Sequence, residues 1–209
     1  MPAAPPTLFL LSPAHAGGRR AQWLLREQAA FPLALALRSE GAPLGEVYAF
    51  LSGLYFRGKL AYARACAARG AATVRVIVPG RGLVDPGARV TLDELRAIAE
   101  VPVDPGEPRY RGPLERDARR WARAQPGGIA VLLGSIATGK YVDVLLEVFG
   151  ARLHFPAEFV GRGDMSRGGL LLRAADERRT LATIAARGAV RHGARPPKLA
   201  PRPRRVVPA

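Results

Sequence analysis

Four apolar runs mark the chain: TLFLLS (7–12), TVRVIV (73–78), GIAVLL (128–133) and RLHFPAEFV (152–160), the last interrupted by Pro156. Each is short and bounded by turn residues, a pattern that predicts strands buried on both faces. Helical spacing of apolar positions fills the intervals. It predicts helices over 21–30 and 44–70, the second broken near Ser52-Gly53, and over 91–100, 112–125, 139–150 and 166–188. Thr91 followed by Glu94 spells a capping box, Pro113 suits a first helical turn, and Gly150 suits a C-cap. The Pro-rich stretch 101–113 reads as a surface connection.

Strands separated by helices predict an α/β fold: a three-layer, Rossmann-like domain around a mainly parallel sheet of four to five strands. That domain is expected to span residues 1–187, with residues 188–209 as a basic, Pro-rich, extended or disordered tail. No internal repeat is visible.

In open parallel sheets, ligands bind beyond the carboxyl ends of the strands. Four loops fall there: SPAHAGGRR (12–20), PGRGLVDPG (79–87), GSIATGK (134–140) and GRGDMSRGG (161–169). All combine glycine with basic or hydroxyl side chains, as an anion pocket requires, although tight turns also require glycine. The third loop has the spacing of a phosphate-binding loop between a strand and a helix. It departs from a magnesium-dependent triphosphatase at Tyr141, which stands where a metal-binding hydroxyl is needed, and no strand ends in an acidic metal anchor. The expected anion-binding set is Gly134, Ser135, Thr138, Gly139 and Lys140, with Arg81, Arg162 and Arg167 as clamps. Asp85, Asp164 and His15 are the candidates for acid–base work. Asp143 and Glu147, four apart, share one helix face and read as a solvated edge. One cysteine, Cys66, and three scattered histidines give no metal-ligand spacing, so no metal is expected, and the identity of any cofactor stays open.

Charge sharpens this picture. The formal net charge is +15, but seven basic residues from Arg187 onward, with no acid among them, leave +8 on residues 1–186. Such a tail can follow a phosphate backbone through counterion release, or can simply be a solvated terminus. Of 32 basic residues only three are lysine: Lys59, Lys140 and Lys198. In a chain so biased toward arginine, a retained lysine marks a place where a compact ammonium is wanted. Lys59 and Lys140 each follow a glycine where a helix is predicted to start. The opening MPAAPPT has no basic leader region, and no run approaches the roughly 20 apolar residues of a membrane span. A cytoplasmic protein with no membrane partner is expected.

SGLYFRGKLAYARA (52–65), VIVPGRGLVDP (76–86) and TLDEL (91–95) together resemble a group of bacterial and phage domains of unknown function. That group is similar to a domain of archaeosine synthases and to YaaA-like peroxide-stress proteins. The resemblance covers about the first half of the domain and implies a Rossmann-like fold with a connection to nucleic acid or modified nucleobases. It carries over no catalytic residue. The functional expectation is a protein that binds, or acts on, a nucleotide, nucleobase or nucleic acid at the carboxyl edge of its sheet. Two alternatives stay open: a non-enzymatic DNA- or RNA-binding protein, and an interaction domain whose loops are ordinary turns.

Overall fold

The computed structural model describes residues 5–200. Its first half contains β1 (Thr7–Leu11), α1 (Arg19–Leu25), α2 (Pro32–Arg38), β2 (Ala42–Pro43), α3 (Leu44–Ser52), α4 (Leu54–Ala67) and β3 (Ala72–Val78). β4 (Gly82–Val84), β5 (Arg89–Val90), α5 (Leu92–Ala99) and α6 (Pro108–Ala124) follow. The remainder is β6 (Ile129–Leu133), α7 (Gly139–Phe149), β7 (Leu153–Pro156), α8 (Asp164–Asp176) and β8 (Thr183–Ala185).

The fold is α/β, with a six-stranded, mainly parallel sheet in the order β4-β3-β1-β6-β7-β8. β1 lies parallel between β3 and β6, with Leu10 opposite Arg75 on one side and Leu132 on the other. Consecutive residues Leu8 to Leu11 and Ala130 to Leu133 are all buried, so both faces of the sheet are covered. α4 packs on β1, β3 and α8, and α6 packs on β3, β4 and α7, an arrangement compatible with three layers. Edge-to-face rings mark each side: Phe9 against Tyr62 of α4, and Trp121 of α6 against Phe149 of α7.

The broken helix is confirmed at Gly53, whose φ of 63° ends α3 and begins α4. The capping box of α5 also forms, with Thr91 Oγ1 accepting from the Glu94 N–H at 3.3 Å and Glu94 accepting from the Thr91 N–H at 2.8 Å.

Elsewhere the structure corrects the expectations. The sheet gains two antiparallel edge strands, β4 and β8. α6 starts at Pro108, inside the stretch expected to be a connection, because Glu107 caps it and Pro108 suits a first helical position. Residues 32–38 form an unpredicted helix, α2. The last helix stops at Asp176, and residues expected to continue it form β8 instead. It ends in a Schellman-type turn: Arg178 takes φ 51°, the Arg179 N–H reaches Ala174 O at 2.8 Å, and the Arg178 N–H reaches Ala175 O at 3.2 Å. An arginine in that left-handed position leaves no glycine to announce the stop.

Residues 188–200 have no regular structure but lie against the domain. Leu199 packs on the core beside Gly169, and the Ala194 carbonyl sits where a side chain on Gly161 would be. Arg173 donates to the Ala200 carbonyl and Arg162 to that of Pro197 at 3.4 Å. The last basic residues of the expected tail, Arg202, Arg204 and Arg205, fall outside the described residues.

Candidate functional site at the carboxyl edge

Within the six-stranded sheet, β1 is followed in the chain by β3 on one side of it, and β6 lies on its other side. The loops leaving β1 and β6 therefore diverge, opening the crevice that α/β sheets use for ligands. Two cavities lie at it, and a third adjoins them beyond the end of β3. One, of about 280 Å³, is lined by Ser12, His15, Tyr55, Lys59, Ser135, Tyr141 and Asp164. A second, of about 550 Å³, shares His15 and Tyr141 with it and adds Pro79, Ile98, Val101, Asp104 and Lys140. A third, of about 740 Å³, shares Pro79, Ile98 and Val101 with the second and reaches Arg81, Glu94 and Arg109. Loops after β1, β3 and β6 and the start of α8 thus border a row of neighbouring cavities.

Its most unusual feature is Lys59, whose side chain is only 1% exposed. Its ammonium donates to the main-chain oxygen of Ser12 at 2.7 Å and meets Ser12 Oγ at 2.9 Å. It also stands 4.5 Å from the Tyr55 ring centroid and 4.9 Å from that of Phe56. Burial pulls its pKa down to about 7, with the Asp164 charge opposing the shift. Tyr55 lies one helical turn before Lys59 on the same face of α4. Burial raises its hydroxyl above the ordinary tyrosine range, with the Arg167 charge pulling it back. That hydroxyl has no partner in good hydrogen-bonding geometry among the described residues.

Local packing explains how these groups meet. α4 and α8 touch at two glycines: a methyl on Gly58 would come within 2.5 Å of the Gly168 carbonyl oxygen, and one on Gly168 within 2.8 Å of Tyr55 Cα. This contact brings the start of α8, with Asp164, up to the cavity that Tyr55 and Lys59 line. On the opposite side, Tyr141 of α7 separates the two smaller cavities, its hydroxyl pushed up to about 12 by burial.

The sequence-derived candidates divide accordingly. His15, Ser135 and Asp164 line the first cavity, His15 and Lys140 the second, and Arg81 the third, where it pairs with Glu94 at 2.9 Å. Thr138 is the N-cap residue of α7, with its hydroxyl 3.5 Å from that of Ser135. Asp85 lies outside all three cavities, bonded to Arg75 at 2.8 Å and to the Gly87 N–H at 2.8 Å. Arg167 is 5% exposed and donates twice to the Phe159 carbonyl, at 3.2 and 3.0 Å, bracing the turn before α8. Arg162 belongs to a separate cavity with Ser166, Arg195 and Lys198.

Of the two glycines in the phosphate-loop spelling, Gly134 has a packing reason. A methyl there would lie 2.7 Å from Ser12 Cβ, whereas one on Gly139 would meet only the end of the exposed Asp143 side chain, which can turn aside. Lys140 itself is exposed. Sequence reasoning did not place Lys59 and Tyr55 at the site. The available signal was the scarcity of lysine; the glycine before Lys59 lies within α4 rather than at a helix start. Comparisons with protein-family models, with curated proteins and with solved structures find no match.

Proposed function

We propose that the protein binds a phosphate-bearing ligand of the nucleotide or nucleobase class in the 550 Å³ cavity beside the β1–β6 crevice. The carrying observation is the composition of that cavity. Pro79, Ile98 and Val101 offer an apolar wall for a planar base, while Lys140, at the first turn of α7, offers charge and His15 a ring N–H for a phosphate. Its volume lies within the range of small-ligand pockets, and its position obeys the ligand rule for Rossmann-like sheets. Gly134, Ser135, Thr138 and Gly139 shape the loop that presents Lys140. Asp104 faces the same space and suits a sugar hydroxyl or a base N–H. Tyr141, buried where a metal-binding hydroxyl would stand, disfavours a magnesium-dependent triphosphatase.

Titration with nucleoside mono-, di- and triphosphates by calorimetry tests this. Lys140→Ala is expected to weaken binding about tenfold, the loss of one charge-assisted contact. Absence of binding across the whole panel refutes the proposal.

A second reading, binding of a nucleic-acid backbone, has its own observation. Arg162, Arg195 and Lys198 line a cavity of about 310 Å³ with Ser166 and no acidic residue. Under that reading, affinity for DNA or RNA falls steeply with salt and weakens in an Arg195→Ala, Lys198→Ala variant.

A further inference from the structure

We infer that Ser12 and Lys59 form a nucleophile–base pair that cleaves an uncharged acyl substrate, an ester or amide, in the 280 Å³ cavity at the end of β1. This goes beyond nucleotide binding and rests on a different cavity. Both hydrogen bonds of Lys59 go to Ser12, and each has a role. The 2.7 Å bond to the Ser12 main-chain oxygen holds the amine in place. With that bond made, the lone pair of a neutral amine is free to accept the Oγ proton across 2.9 Å. The missing side chain of Gly134 leaves the room that the serine occupies, since a Cβ there would lie 2.9 Å from its Oγ. Lys59 is neutral above a pH of about 7, where an ordinary lysine is charged.

The surroundings select the substrate class. Besides Lys59 the cavity has one carboxylate, Asp164, one histidine, His15, and no arginine. Arg167 pairs with Asp164 at 3.7 Å but lies outside the lining, so no arginine, and no lysine besides Lys59, faces the cavity to hold an anionic reacting centre, whereas a neutral carbonyl needs none. Pro13, Ala14 and Leu51 supply apolar wall for the acyl group. The Ser135 hydroxyl on the same lining is a donor for the oxygen that becomes negative.

In the reaction, Ser12 Oγ bonds to the acyl carbon as its proton passes to Lys59 Nζ and the carbonyl π electrons move to oxygen. Collapse of this intermediate breaks the bond to the alcohol or amine, which leaves with the proton from Lys59. A water then attacks the acyl-serine while Lys59 accepts its proton. The second collapse returns that proton to Oγ and releases the carboxylic acid.

The test uses the full-length protein with p-nitrophenyl acetate and a fluorophosphonate probe. We expect acyl transfer to Ser12, located by peptide mass spectrometry, and turnover that rises with pH through about 7. The groups whose charge acts on that profile are Asp164 and Arg167 of α8, His15 after β1, Tyr55 of α4 and Tyr141 of α7. Ser12→Ala and Lys59→Arg should each reduce turnover by about 100-fold or more, arginine keeping the charge but accepting no proton. Ser12→Ala removes one oxygen, so it keeps the test decisive if the Lys59 variant does not fold. Labelling at another residue, or Ser12→Ala turnover equal to the parent's, overturns the inference. So does an unlabelled Ser12 with no hydrolysis of a panel of esters and amides.

Discussion

At the scale of single residues, the loop 134–140 shows how one spelling arises from separate local causes. Gly134 leaves room for Ser12, Gly139 opens α7, and Lys140 is an exposed residue of the cavity lining. The lysine with unusual chemistry is instead Lys59. Its folded-state pKa, about 7, lies below the 10.5 of an exposed lysine. Between those values the unfolded chain binds a proton that the folded chain does not, so stability rises with pH across that window and is lowest below it. The slope approaches about 1.4 kcal/mol per pH unit, or on the order of 2 kcal/mol between pH 7 and 9. Lys59→Met should abolish this rise. Urea unfolding of both proteins from pH 6 to 9 reads it directly, and parallel curves would mean that Lys59 keeps an ordinary pKa.

At the scale of elements, the contact of α4 with α8 decides what the site contains. Gly58→Ala pushes a methyl into the Gly168 main chain, so the helices must separate. Overpacking of this kind destabilises by about 1–3 kcal/mol, and it also moves Asp164 away from Lys59. Thermal unfolding checks the first effect, and the pH profile of any Lys59-dependent activity checks the second. The long buried strands, the break at Gly53 and the capping box of α5 were legible because each rests on local chemistry: apolar continuity, a glycine or a side-chain cap. β4 and β8 were not. Both are three-residue strands: β4 folds back on β3 in a tight hairpin too short to show a period, while β8 reaches β7 only across α8 and follows a helix stop made by Arg178 rather than by glycine.

At the scale of the whole molecule, the basic C-terminal region is partly a structural strap. Leu199 covers core, Arg191 stands 3.8 Å from Asp143 of α7, and main-chain oxygens of the strap accept from Arg162 and Arg173. Removing residues 189–209 should therefore lower stability as well as net charge. Loss of one partly buried leucine is worth about 1 kcal/mol, roughly a 2–4 °C fall in Tm for a chain of this size. Calorimetry of the truncated protein checks this, and an unchanged Tm would make the strap energetically idle. Among the described residues no helix is long and apolar enough to cross a membrane.

By itself, the sequence determined the α/β class and the loops in which chemistry-bearing residues concentrate, because apolar periodicity and glycine turns act over a few neighbours. It also held the rare lysines in view. Only the tertiary structure decided which of them is buried and which residues share a cavity. Ser12 and Lys59 are 47 positions apart, and Asp164 lies far beyond both. They line one cavity because β1 carries Ser12 into the sheet and two glycines let α4 and α8 touch. Burial, rather than residue type, then pulls the Lys59 pKa toward neutrality.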